Sequence, residues 1–180
     1  MRKTYFLVSF AIIVFLLSFN TSFAGSHSEP GFAKDSAEKV NYELPYPGLL
    51  PDSPLYFLRI IRDKAISFLI ADPLKKAEFD LLQADKRLNA GIYLFNKGKV
   101  SMSLSTISKA ENYFEEALTK RREAAKQGMD TEDIERRLMQ AVAKHREELG
   151  KIIKRVNKNF KGNFEKEYKR VIDFEKGLKH

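Results

Sequence analysis

The hydrophobic positions of the chain fall into three regimes. Tyr5 to Phe19 is an apolar run broken only by Ser9 and Ser18. Residues 25–53 carry no period. From Pro54 onward apolar residues recur three and four apart, the spacing of one helical face. The first such segment, 54–71, is apolar nearly all round: Leu55, Phe57, Leu58, Ile60, Ile61, Ala65, Ile66, Phe68, Leu69, Ile70. A helix of that kind is central in a core or lies against a membrane. Arg59, Arg62, Asp63 and Lys64 in its middle argue against spanning. The expectation is the most buried helix of the fold, with an interfacial or partner-binding role as the alternative.

Asp72-Pro73 is a cap followed by a proline suited to a first helical turn, so a second helix is predicted over 73–96. Its inner positions are Leu74, Ala77, Leu81, Ala84, Leu88, Gly91 and Phe95, large residues alternating with small ones. Gly98 marks a short turn, and a third helix over 100–127 repeats the alternation with Val100, Ser103, Ile107, Ala110, Phe114 and Ala117. The two helices should pack antiparallel and unusually close, with a crossing of about +20°. Gly128 ends the third helix, and Asp130 caps a fourth over 131–157, with Glu132 and Asp133 near its positive end. The fourth stripe is Ile134, Leu138, Val142, His145, Leu149, Ile152 and Val156. Asn157 to Asn163 is poor helix, so a break and a fifth helix over 160–177 are predicted, one long helix being the rival. The fold class is all-α: an antiparallel bundle of four or five helices.

Ahead of the bundle, Leu44 to Pro54 holds Pro45, Pro47, Pro51 and Pro54. Proline fixes φ and extends its preceding residue. A stiff strap over 44–53 is predicted, lying on the helices so that Tyr46, Leu49 and Leu50 are buried. Residues 25–43 read as a flexible leader. Arg2 and Lys3, the apolar run, and Ser22 and Ala24 together read as a secretory signal peptide over 1–24. The run is shorter than the roughly 20 apolar residues of a spanning helix, so an uncleaved anchor is the alternative. The expected location is extracytoplasmic.

Composition sharpens this. The 180 residues include no Cys and no Trp. Disulfides, thiolate metal sites, Cys nucleophiles and a lipidated Cys are excluded. The formal charge is +8, yet residues 25–150 are neutral. The excess beyond the signal lies in 151–180. Lys151, Lys154, Arg155, Lys158, Lys161, Lys166, Lys169 and Arg170 are therefore candidate anion-binding residues, with Lys176 and Lys179 beyond them. Lipid headgroups or wall polymers are the fitting anions. Nucleic acid is not expected, because no nucleic-acid motif is present and the signal directs the chain out of the cytoplasm. The bland reading is a solvated helix face.

Catalytic chemistry leaves little trace. The three His residues, His27, His145 and His180, are too scattered for a local metal cluster. His145-Arg146-Glu147-Glu148 lacks the second His of a zinc helix. His145 itself reads as a core histidine bonded to a carbonyl or carboxylate, with a general base or pH switch as the alternative; if it is partly buried, pH 5 should weaken the fold. Glu115-Glu116, Glu132-Asp133 and Glu147-Glu148 are helix neighbours about 100° apart and form no two-carboxylate site. No enzyme, metal or cofactor is expected.

The segment Tyr46-Pro47-Gly48-Leu49-Leu50-Pro51-Asp52-Ser53-Pro54-Leu55-Tyr56-Phe57-Leu58 resembles an uncharacterised family of exported bacterial and archaeal helical proteins, a domain of unknown function. Similar matches are Arg59 and Arg62, Asp72-Pro73, Lys76-Ala77-Glu78, Ala84-Asp85-Lys86-Arg87-Leu88, Lys109-Ala110-Glu111 with Tyr113, and Lys144-His145-Arg146-Glu147. The resemblance covers about 42–150. It implies an extracytoplasmic helical domain, supplies no catalytic residues, and places a proline after the fourth helix where this chain has Asn157. The function expected is a non-catalytic interaction module of the cell envelope, its partner an unknown protein or envelope polymer. The alternative is electrostatic attachment to anionic lipid or wall polymer through the basic C-terminal helix.

Overall fold

The computed structural model describes residues 40–179. The predicted signal peptide and residues 25–39 of the predicted leader lie outside the described residues. Among the described residues there are five helices and no strand: α1 Tyr56–Leu69, α2 Pro73–Asn96, α3 Val100–Lys126, α4 Glu132–Arg155 and α5 Lys158–Leu178. The class is all-α. α2 pairs with α3 along most of its length, α4 pairs with α5, and the two hairpins stack with α4 on α2 and α5 on α3.

Local chemistry sets the helix ends. Asp72 Oδ1 accepts hydrogen bonds from the backbone N–H of Leu74 (2.8 Å) and Lys75 (3.0 Å), and Pro73 opens α2 where no N–H is needed. Gly98 (φ 75°) and Gly128 (φ 76°) take the left-handed conformation that closes α2 and α3. The N–H of Lys99 reaches back to the Leu94 carbonyl, and that of Met129 to the Ala124 carbonyl. The fourth helix stops at Arg155. Val156 and Asn157 are extended, and Asn157 Oδ1 accepts from the Phe160 N–H at 3.3 Å to start α5. Asparagine thus supplies a cap at the break, and one continuous helix is not formed.

The α2–α3 seam is close-packed. Ala77, Leu81, Ala84, Leu88, Ile107, Ala110, Phe114 and Ala117 are fully buried. A Cβ on Gly91 would lie 2.4 Å from Ile107 Cγ1, so only glycine fits there without displacing Ile107. Ser103 Oγ donates to the Gly91 carbonyl at 2.7 Å across the same seam. Phe114 stacks on Phe174, and Phe95 meets Phe164 edge-on, which ties the hairpins together.

The first helix departs from expectation. It is not the most buried helix: none of its apolar residues belongs to the buried core, and Phe57, Leu58, Ile61, Phe68 and Leu69 are exposed. Its buried residues are Arg59 and Asp63. The physical reason is that the α2–α5 core is already closed by its own stripes, which leaves no apolar groove for α1. The strap departs in part. Residues 40–43 of the predicted leader continue it as one strap: Tyr42, Leu44 and Pro47 pack inward, but Tyr46 is exposed rather than buried and Leu49 is nearly half exposed.

Candidate functional site

The inner face of α1 is polar and tied to its surroundings by charge. Asp63, 2% exposed, accepts from Arg62 Nη2 at 2.8 Å through Oδ1. Its Oδ2 lies 3.5 Å from Arg59 Nε and 3.7 Å from Arg87 Nη2, so one carboxylate gathers two arginines of α1 and one of α2. Arg59 also donates to the carbonyls of Pro47 and Leu49, the latter at 2.9 Å, lacing the strap to α1. Arg87 lies over the Tyr113 ring, 4.2 Å from its centroid, and donates to Gln83 Oε1 at 2.5 Å. Further along, Lys76 donates to Ser67 Oγ and pairs with buried Asp80 at 3.3 Å. The clasp is short-range and ionic, and no apolar side chain of α1 joins the buried core.

This anchorage turns the apolar face of α1 outward. At 100° per residue, Phe57, Phe68, Ile61, Ala65 and Leu58 fall on one stripe opposite Asp63. Phe68 is 89% exposed and Ile61 61%. Arg62 and Lys64 edge the stripe, and both are exposed. Leu55, just before the helix, and Leu69, at its end, are exposed as well. Contiguous exposed apolar surface of this kind marks an interaction site.

The bundle core holds a second polar cluster. His145 is completely buried on α4. Its Nδ1 lies 3.0 Å from Glu111 Oε1 of α3 and its Nε2 3.2 Å from Asp85 Oδ1 of α2. Tyr42 of the strap donates its hydroxyl to Asp85 Oδ2 at 2.5 Å. Burial pulls the imidazolium down, but the two carboxylates outweigh it and push His145 up to about 10. Burial, then Asp85, raises the Tyr42 hydroxyl far above its ordinary value. At neutral pH the cluster is therefore an imidazolium between two carboxylates, with a neutral phenol. Sealed from solvent and already protonated, His145 cannot act as a general base. It joins three helices, and Tyr42 pins the strap to them. The expectation of a core histidine bonded to a carbonyl or carboxylate is met by two carboxyl groups. Its charge, already in place at neutral pH, gives no reason for the fold to weaken at pH 5.

The strap has further anchors. The Val40 N–H donates to Glu147 Oε2 at 3.2 Å, and Asn89 donates to the Pro45 carbonyl at 2.9 Å. Asp52 pairs with Lys99 (2.8 Å) and Lys97 (3.3 Å) at the α2–α3 turn. The Lys99 bond leads in holding the Asp52 carboxyl below the usual carboxylate range.

The candidate anion-binding residues do not gather into one site. Lys151 is taken up by Glu147 and Glu148, at 2.5 and 2.9 Å. Arg155 donates to Asn96 and lies over Phe95. Lys161 sits 4.0 Å from Glu165. Arg170 pairs with Glu167 and Glu115 at 2.9 and 3.1 Å. Lys154, Lys158, Lys166 and Lys169 are exposed, without an acidic partner among the described residues. A groove of about 210 Å³ between α3 and α5 is lined by residues of both signs, among them Arg121, Arg122 and Asp173.

Fold and site define an all-α bundle with a strapped, outward-facing amphipathic helix. The chain belongs to the family described as Domain of unknown function (DUF5667), which matches residues 48–159. That span takes in α1, its ionic clasp and all three helices around His145. No curated protein and no solved structure matches the chain.

Proposed function

We propose that the protein is an exported, non-catalytic interaction module of the cell envelope, and that α1 with its strap is the contact element. One observation carries this reading: α1 buries Arg59 and Asp63 and presents Phe57, Leu58, Ile61, Phe68 and Leu69 to the outside. Leaving such side chains in water forgoes roughly 1.5–3 kcal/mol each relative to burial, which a binding surface recovers on contact.

The test uses residues 37–180, which form a compact unit containing the whole described core. Co-sedimentation with isolated cell envelopes should be lost in an Ile61→Glu/Phe68→Glu variant whose melting temperature is unchanged. Retained binding in that variant refutes α1 as the contact element. The second reading, electrostatic attachment through α5, draws on exposed Lys158, Lys166 and Lys169. It requires binding to fall steeply with salt and to survive the α1 substitutions.

A further inference from the structure

We infer that the outward face of α1 seats in the headgroup–acyl boundary of an anionic phospholipid bilayer, with the helix lying in the membrane plane. This rests on the reading of α1 as the contact element and names what covers it. The helix has the right section. Its apolar stripe spans an arc of about 100° and is built from two phenylalanines, two branched aliphatic residues and Ala65, all exposed. Aromatic and aliphatic side chains between edge cations are the pattern of interfacial helices.

Charge selects lipid over a second copy of the chain. The exposed charges of α1 are Arg62 and Lys64, and its single acid, Asp63, is buried beneath the helix. Two copies meeting face to face by a twofold axis would bring like charges to both edges of the contact. Phosphate headgroups meet them with opposite charge.

Length selects lying on the membrane over crossing it. α1 has 14 residues, about 21 Å of helix, and among the described residues no helix is long and apolar enough to span. The ionic clasp beneath α1 faces the bundle, so no buried charge has to enter lipid.

The absence of tryptophan from the sequence permits a single-site reporter in the full chain. Phe68→Trp changes a side chain that is almost wholly exposed and leaves the core alone. Asn163→Trp on α5, across the bundle from α2, is the comparison site. Each full-length variant is mixed with vesicles of phosphatidylcholine alone, and of phosphatidylcholine with phosphatidylglycerol. Both variants carry the same N-terminal apolar run, so any attachment through it is common to the two, and the difference between them reads the position of α1. Expected is a blue shift of the Phe68→Trp emission and quenching by brominated acyl chains. Both are stronger with phosphatidylglycerol, while the Asn163→Trp emission stays water-like. Water-like Phe68→Trp emission on both vesicles overturns the inference. So does a blue shift that grows with protein concentration before lipid is added, which assigns the face to a second copy. A shift with isolated envelopes but not with pure lipid overturns lipid as the partner and leaves α1 as the contact element. No shift with either overturns both readings.

Discussion

Between Glu111 and Asp85 the imidazole of His145 holds its proton into the alkaline range, and this fixes the sign of the pH dependence. The unfolded imidazole titrates near pH 6.5, the folded one at about 10. Between these values the folded state binds more protons. The contribution is therefore complete below pH 6.5 and is lost as pH rises through about 10. Urea unfolding across pH 6 to 10.5 should show stability falling with alkali. A variant without the imidazolium, His145→Gln, should flatten that slope and cost roughly 3–5 kcal/mol at neutral pH, because two buried carboxylates lose their cation. The partners of His145 were partly legible. Asp85 lies four after Leu81 and three before Leu88, and Glu111 stands in the same relation to Ile107 and Phe114. Acids at core register need a buried cation, and His145 lies on the facing stripe. Tyr42 was not legible, since a strap residue has no period to place it.

The helical elements were read well where local chemistry decides. Caps and left-handed glycines act within a few residues, so Asp72-Pro73, Gly98 and Gly128 each marked a terminus in the sequence as they do in the fold, whereas the break expected across Asn157–Asn163 narrows to Val156 and Asn157, with helix resuming at Lys158. The alternating stripes of α2 and α3 foretold their seam. There Gly91→Ala should cost about 1–2 kcal/mol net, despite alanine's better helix propensity, because its methyl meets Ile107. Thermal unfolding measures it, and a variant as stable as the parent would contradict the close approach. Ala84→Leu should wedge the same seam by roughly 1–3 kcal/mol. The misread element was α1. Hydrophobic content alone gave it a central place, but Arg59 and Asp63 are four apart and define a polar inner face. Asp63→Asn removes the charge that gathers Arg59, Arg62 and Arg87. Amide hydrogen exchange should then accelerate throughout α1 while α2 to α5 stay protected, since α1 contributes nothing to the apolar core. Uniform loss of protection would mean that α1 is integral to the bundle.

At the scale of the molecule, the architecture separates stability from recognition. The hairpins α2–α3 and α4–α5 close the core, the strap is pinned by Tyr42, Asn89 and Asp52, and α1 rides outside on an ionic clasp. The sequence offered the basic C-terminal helix as the alternative attachment surface, beside the reading of a solvated helix face. Net charge is visible in a sequence, but pairing is less so: Lys151 is neutralised within α4 by Glu147 and Glu148, four and three residues before it, whereas the Arg170–Glu115 pair depends on α3 lying alongside. The central claim is that the apolar face of α1 serves contact and not the core. The most direct test is thermal unfolding of residues 37–180 carrying Phe57→Ser, Ile61→Ser and Phe68→Ser together. For a chain of this size 1 kcal/mol corresponds to about 2–4 °C. The account predicts a melting temperature within about 4 °C of the parent, since exposed substitutions cost little. A fall of about 15 °C or more, the mark of several buried side chains lost together, would place α1 in the core and contradict it.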